Sequence, residues 1–198
     1  MFFLVTGASG VGKSTVRKLI EAEIAAEVTA CEFGTLGIIP QWTLCWRHQA
    51  LEQVVQLALQ QQKSGKHFLL CGDPVPPGEL YAVPSAAELS AIQVCLLDIS
   101  PEKQIERLTR RGDAPEFIPH HVAFAEWMRH HVVDRRYRPE VIINGGWEKM
   151  RWEVWNSDVV TRVPWNSQTI DTTHLTAREV AAQVLSWIKL HKGSTISV

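Results

Sequence analysis

The sequence predicts an α/β protein in which a parallel β-sheet is covered by helices on both faces. Short apolar segments of strand length alternate along the chain with longer segments whose apolar residues recur at helical spacing. The segment Ile92–Asp98 is almost continuously apolar, which is typical of strands buried on both sides in a parallel sheet. Because strand–helix–strand units form right-handed crossovers, we expect one three-layer domain that takes in residues 1–198.

The composition is ordinary for a soluble globular protein and favours no macromolecular partner. Of the 198 residues, 45% are hydrophobic and 21% are charged, and the net charge is −1. A nearly neutral chain has no general attraction to nucleic acid or to anionic membranes, so we expect neither as a partner. The apolar runs are far shorter than the roughly 20 residues that span a bilayer. Four cysteines without C-x-x-C pairing indicate reduced thiols and a cytoplasmic protein.

The first predicted strand leads directly into a glycine-rich loop. Residues 2–5 are an apolar run that we interpret as a strand and not as a leader, because no basic segment precedes it. After Thr6, a stretch of nine residues contains the pattern G-x-x-x-x-G-K-[ST] with every fixed position matched. These nine are Gly7, Ala8, Ser9, Gly10, Val11, Gly12, Lys13, Ser14 and Thr15. Apolar residues at helical spacing follow them, which predicts a helix that opens at the loop.

This loop predicts a binding site for a nucleoside triphosphate. Its glycines permit backbone angles that bring several N–H groups to one oxyanion. The N-terminus of the following helix adds unpaired N–H donors and a positive partial charge. We expect Lys13 to reach the β- and γ-phosphates and the Ser14 hydroxyl to be a Mg²⁺ ligand.

The second and third predicted strands each end at a carboxylate. The second strand ends near Glu32, and a connection rich in turn residues leads to a long helix that ends at Gly65. The third strand covers residues 67–71 and is closed by Asp73. A proline-rich loop follows, and Ser85 with Glu88 three residues later predicts a capping box for a short helix.

The fourth predicted strand, at residues 92–98, is followed by a helix that begins at Ser100-Pro101. This helix carries arginines at i, i+3 and i+4, which lie on one face. They are Arg107, Arg110 and Arg111. Guanidinium groups suit bidentate contacts to phosphate, although a solvated basic helix end, favoured by the helix dipole, is the alternative.

The remaining elements are less regular. A further helix is expected over residues 121–134, a strand end at residues 141–143, and a helix with an aromatic face around residues 147–155. A short last strand, at residues 169–171, precedes a helix opened by a second capping box, Thr176 with Glu179.

In its layout, most of the chain resembles the nucleoside-monophosphate-kinase-like group of small P-loop kinases. The motifs that carry this resemblance are residues 7–15 and, less specifically, residues 98–111. That group includes adenylate, shikimate and gluconate kinases and chloramphenicol phosphotransferase. The chain has no N-K-x-D segment, which argues against a GTPase. The resemblance implies a P-loop NTPase fold with a five-stranded parallel sheet in the order 2-3-1-4-5. It also implies a helical lid at approximately residues 107–138.

The resemblance further implies ATP-dependent phosphoryl transfer, with Mg²⁺, to a hydroxyl or phosphate of a nucleoside, nucleotide or other small metabolite. Arginines at the start of the lid contact phosphates in such kinases, a role that would fall to Arg107 and Arg111, with Arg110 beside them. A regulatory module that binds ATP and a slow NTPase without an acceptor remain the alternative hypotheses. We expect a monomer or a homodimer.

Transfer to a hydroxyl also requires a carboxylate near the acceptor. In the resembling kinases this group lies at the end of strand two, which is the position of Glu32, and Asp73 is the competing candidate. The acceptor pocket is then expected between the segments that follow strands two and three. Its polar and aromatic candidates are Trp42, Trp46, Arg47 and Glu79. Indole faces suit a flat or hydrophobic acceptor and Arg47 suits an anionic group on it, while simple packing of the tryptophans between helices is the alternative.

Overall fold

The sheet has five parallel strands in the order β2-β3-β1-β4-β5. A computed structural model describes residues 1–38, 41, 43–156 and 167–192. The strands are β1 (Phe2–Thr6), β2 (Val28–Cys31), β3 (His67–Cys71), β4 (Ile92–Asp98) and β5 (Ser167–Asp171). The fold class and the strand order expected from the resemblance are therefore confirmed.

Seven α-helices connect and flank the strands within the described residues. They are α1 (Lys13–Ile24), α2 (Leu44–Lys63), α3 (Pro77–Ala82), α4 (Pro101–Arg111), α5 (Ile118–His131), α6 (Glu140–Ile143) and α7 (Ala177–Lys192). Single 3₁₀ turns lie at Phe33–Leu36, Pro84–Glu88, Pro115–Phe117 and Trp152–Asn156. None of the helices in the described part of the chain has the length and apolar character needed to cross a bilayer.

Alternation of side chains along the strands gives the sheet two buried faces. On one face Phe3 and Val5 of β1 pack with apolar residues of α1 and α7. On the other face Phe2 and Leu4 pack with α2 and α3. All four of these side chains are fully buried, as expected for a central strand of a parallel sheet. The prediction of helices on both faces is confirmed.

A third apolar cluster joins α5 to the segment that follows it. Trp127 and Met128 of α5 pack with Leu96, Ile142 and Trp155. The strand end expected at residues 141–143 is wrong, because Pro139 precedes helix α6, which places Ile142 in this cluster. The expected aromatic helix is a 3₁₀ turn at Trp152–Asn156, and residues 157–166 lie outside the described residues.

Of the two predicted capping boxes, one forms and the other is replaced by a tertiary contact. Thr176 and Glu179 form the predicted capping box, with Glu179 N–H donating to Thr176 Oγ1 over 3.3 Å and Thr176 N–H to Glu179 Oε2 over 2.7 Å. The capping box predicted for Ser85 is wrong. The Ser85 N–H and hydroxyl instead donate to Glu52 on α2, over 3.1 and 2.5 Å. A bond to a distant carboxylate thus replaces the local one.

Candidate active site

The glycine-rich loop lies between β1 and α1, at the carboxyl end of the central strand. Gly7 has φ 145°, and a Cβ there would lie 2.2 Å from the carbonyl oxygen of Leu97 on β4. Gly12 caps α1 in the left-handed region, with φ 102°. Because residues with a Cβ resist both arrangements, the glycines are what allow the loop to turn tightly against β4 and open into the helix.

Lys13 is held inside the loop by backbone carbonyls. Its Nζ donates to Gly7 O over 2.8 Å and to Ala8 O over 2.9 Å. The side chain is buried, and burial lowers the pKa of Lys13 to about 8, although the charge of Asp73 opposes part of this shift. Within the described part of the chain the ammonium thus has only neutral acceptors as direct partners, so an anion placed beside it would be strongly attracted.

Ser14 contacts a carboxylate at the end of β2. Its Oγ donates to Glu32 Oε2 over 2.6 Å, and Glu32 Oε1 accepts from Arg17 Nη2 over 3.1 Å. Gly72 makes room for this carboxylate, because a Cβ there would lie 2.1 Å from Glu32 Oε2. A hydroxyl and a carboxylate side by side are oxygen ligands of the kind that Mg²⁺ prefers, so the residues present fit that ion.

Asp73 stands at the end of β3, next to Glu32. Its Oδ2 accepts from the Phe33 N–H over 2.7 Å. The pKa of Asp73 is raised to about 6, mainly by burial and partly by the charge of Glu32, while the Phe33 hydrogen bond and the charges of Lys13 and Arg17 oppose this rise. Both candidate carboxylates are therefore brought to the loop, in different environments.

A cleft of 560 Å³ opens above the loop. Residues 9–16 line its base and Gly72 and Pro74 line one wall. Cationic side chains of α4 line another wall: Lys103, Arg107, Arg110 and Arg111. Apolar side chains near the start of α7 complete it: Leu175, Ala177 and Val180. The structure thus brings the three predicted lid arginines and the phosphate loop to one cavity.

The three arginines differ in their present partners. Arg107 donates to the Thr172 carbonyl over 2.8 Å, and burial lowers the pKa of its guanidinium. Arg111 forms a two-bond ion pair with Asp113, with Nε to Oδ1 at 2.5 Å. Arg110 is 73% exposed and lies 3.7 Å from Glu106. A polyphosphate in the cleft would therefore have to compete with Asp113 for Arg111.

Among the described residues, the expected acceptor residues Trp46, Arg47 and Glu79 do not line this cleft. Arg47 makes two hydrogen bonds to Glu79, one of them from Nε to Oε2 over 2.8 Å, and Glu79 is fully buried. Burial alone would raise the pKa of Glu79, but Arg47 and the nearby His48 hold it below its ordinary value. Trp46 packs edge-on against Phe33, with ring centroids 5.8 Å apart. Trp42 lies outside the described residues.

Sequence reasoning missed several side chains that hold the site together. Gln104 donates to the loop carbonyl of Ser9 over 2.8 Å, and Thr172 receives the Arg107 guanidinium. Arg17 supports Glu32. A signal existed for two of them, since Gln104 lies three residues before Arg107 and Arg17 lies three residues after Ser14, on the same helix faces.

Comparisons with known proteins find likeness in structure and not in sequence. No protein-family model matches the chain, and no curated protein sequence matches it. The chain is similar to the structure of a sugar kinase from Janibacter sp., with a TM-score of 0.56 and 13% identity over 95% of this chain and 94% of that one. It is also similar to the Mycobacterium tuberculosis APS kinase in complex with AMPPNP and APS. That likeness has a TM-score of 0.50 and 14% identity over 95% of this chain and 96% of that one.

Likeness at such low identity establishes the fold alone. The two neighbours are matched over nearly their whole lengths, and the strand order agrees with the resemblance drawn from the phosphate loop. The chain therefore has the three-layer fold of the small P-loop kinases.

Proposed function

We propose that the protein is an ATP- and Mg²⁺-dependent phosphotransferase that moves the γ-phosphoryl group to a hydroxyl or phosphate of a small molecule. The observation that carries this proposal is the cleft in which a complete phosphate loop, with its buried Lys13, faces four cationic side chains of α4. The names of the neighbours support it, since one is a sugar kinase and the other is an APS kinase bound to AMPPNP.

Such a site accelerates phosphoryl transfer mainly by neutralising the charge of the transferred group, because the protein itself forms few covalent bonds in the reaction. In our proposal Lys13 and the loop N–H groups hold the β- and γ-phosphates. Arg107, Arg110 and Arg111 approach from α4 as the lid, residues 107–138, closes. Closure would exclude water, which otherwise competes with the acceptor for the γ-phosphate.

Ser14 and Glu32 would hold Mg²⁺ or its bound water, because their oxygens already lie together at the loop. The ion would supply positive charge to the β- and γ-phosphate oxygens. Arg17 would keep the Glu32 carboxylate in place through its bond to Oε1.

The environments of Glu32 and Asp73 favour different roles for the two carboxylates. Both carboxylate oxygens of Glu32 accept hydrogen bonds, one from Ser14 and one from Arg17. Asp73 accepts one backbone hydrogen bond, and burial raises its pKa to about 6, which suits a group that takes up a proton near neutral pH. We therefore assign the orientation and deprotonation of the acceptor to Asp73, and support of the Mg²⁺ side to Glu32.

The acceptor would bind near Trp46 and Arg47, beside the turn Phe33–Leu36. Glu79 holds the Arg47 guanidinium from the protein side, so that Arg47 stays in one orientation. An acceptor with an anionic group would pair with this guanidinium.

The test is the release of ADP by purified protein in the presence of Mg²⁺-ATP, with and without acceptors. The panel contains sugars, sugar acids, nucleosides, nucleotides and APS, and mass spectrometry identifies any phosphorylated product. We expect at least one acceptor to stimulate ADP release above the rate with ATP alone. Release of inorganic phosphate that no acceptor stimulates would favour a slow NTPase, and tight ATP binding without turnover would favour a regulatory module.

A further inference from the structure

Gln104 of α4 connects the phosphate loop to helix α5. Its side chain is fully buried. The Nε2 group donates to the Ser9 carbonyl over 2.8 Å and to the His121 carbonyl, in the first turn of α5, over 3.2 Å. One amide group thus joins the loop, α4 and α5.

The orientation of this amide is set by chemistry. Its Oε1 atom is buried and has no hydrogen-bond partner among the described residues. Exchanging the oxygen and the nitrogen would point Oε1 at two carbonyl oxygens, which repel it, so the donor must face them. Because an unpaired buried carbonyl oxygen costs free energy, a purely structural position would be better filled by an apolar side chain.

Arg107 extends the same contact by one residue of the loop. Its Nη1 donates to the Gly10 carbonyl over 3.3 Å, and Gln104 and Arg107 lie on one face of α4 because they are three residues apart. Two consecutive loop carbonyls, of Ser9 and Gly10, are therefore held by α4. Because a trans peptide unit is planar, the N–H groups of Gly10 and Val11 then point away from α4, opposite to the two carbonyls.

We infer that Gln104 is a positioning residue for the phosphate loop. By holding the Ser9 carbonyl, Gln104 makes the conformation of the loop depend on the placement of α4 and α5. This inference rests on the proposed function, since it concerns how the same loop binds nucleotide. Lys13 holds only the carbonyls of Gly7 and Ala8. When its ammonium turns to a phosphate, Gln104 and Arg107 keep the other two carbonyls in place.

The test compares Gln104→Met with the wild type. Methionine has nearly the same length and shape but cannot donate, so packing is kept while the bridge is lost. We expect the Kd for Mg²⁺-AMPPNP, measured by calorimetry, to rise at least fivefold and kcat with a stimulating acceptor to fall, while KM for that acceptor stays within twofold. The matched control is Gln62→Met on α2, where the lost bond is from the Ser90 N–H to Gln62 Oε1 at 3.3 Å. This variant should keep the wild-type Kd.

Gln104→Asn serves as a second variant if the methionine protein does not melt cooperatively. It keeps the amide but withdraws it by one methylene, and the same rise in Kd is expected. Wild-type nucleotide affinity in either folded variant would overturn the inference. Failure of the wild type itself to bind Mg²⁺-AMPPNP would instead overturn the proposed function, so the two failures are distinguishable.

Discussion

The nucleotide side and the acceptor side of the candidate site use their charges differently. On the nucleotide side, the direct partners of Lys13 among the residues that the structure describes are carbonyl oxygens, and Arg110 and Arg111 have partners at an exposed surface. On the acceptor side the fully buried Glu79 is paired with Arg47 and faces His48 at 3.3 Å. The first set of charges faces an open cleft, whereas the second set forms a mostly buried contact between α2 and α3. In the proposed function this contact fixes the Arg47 guanidinium for an anionic acceptor.

Removing the loop ammonium should give the largest effect on activity. In Lys13→Ala the β- and γ-phosphates lose a buried cation, and we expect kcat/KM for ATP to fall by about 10³-fold or more. Steady-state kinetics with a stimulating acceptor measure this. The control is Lys189→Ala, which removes a surface ion pair between α7 and Glu23 and should be nearly neutral. Activity of Lys13→Ala within tenfold of the wild type would break the contrast between the two sides.

Replacing Asp73 should change both the rate and its pH dependence. Burial raises the pKa of this carboxyl to about 6, and a base must be deprotonated to act. Wild-type kcat/KM should therefore fall as pH decreases through about 6, and it should fall again as pH rises above about 8, where the buried Lys13 loses its proton. We expect Asp73→Asn to lower kcat by about 10²–10³-fold and to remove this acid limb.

The comparison variant for Asp73 is Glu32→Gln. Since Glu32 contacts Ser14, this variant should keep the acid limb and require more Mg²⁺ for half-maximal activity. An unchanged acid limb in Asp73→Asn, or its loss in Glu32→Gln, would reverse the roles that we assign to the two carboxylates.

On the acceptor side the largest effect should be on stability. Glu79→Gln leaves the mostly buried Arg47 guanidinium without its counter-charge, and we expect the free energy of unfolding to fall by about 3 kcal/mol. Urea denaturation measures it. The matched variant Glu52→Gln changes another buried glutamate, which accepts hydrogen bonds from Ser85. In the glutamine variant Oε1 can still accept from the Ser85 N–H and the amide NH₂ can donate to the Ser85 hydroxyl, so the loss should be about 1 kcal/mol or less. Equal losses in both variants would contradict a special role for the Arg47–Glu79 pair.

The smallest effect is expected at the edge of the lid. Arg111→Ala should lower kcat by about 10-fold, because one of several cations near the moving charge is lost. Asp113→Asn should release Arg111 from its ion pair and lower KM for ATP by up to about fivefold, the range of a surface ion pair. A higher KM in Asp113→Asn would show that the pair supports the active arrangement and does not compete with it.

The same contrast explains what could be predicted from the sequence. The loop from Gly7 to Thr15 is one contiguous stretch, so its sequence pattern is enough to predict its conformation. The arginines of α4 are predicted to share a face because they are three and four residues apart. The strand order was expected from the resemblance. Glu79 was recognised as a candidate, but its burial against Arg47 depends on the packing of two helices separated by β3, which no local pattern records.

Other features were missed because a distant residue decides them. Gln104 lies on a largely polar helix, and its burial depends on the approach of the loop and of α5 to α4. Ser85 fits a capping box locally, yet Glu52 takes both of its donors. The choice between Glu32 and Asp73 depended on burial and on which oxygen each neighbour occupies, quantities that only the three-dimensional arrangement provides.

The central claim is that the loop holds the phosphates of ATP, and a crystal structure with Mg²⁺-AMPPNP tests it most directly. We predict β- and γ-phosphates within the loop, with Lys13 Nζ moved from the carbonyls of Gly7 and Ala8 to phosphate oxygens and Ser14 Oγ turned from Glu32 to the cation. A loop that stays empty at saturating nucleotide, with Lys13 still on both carbonyls, would contradict the account.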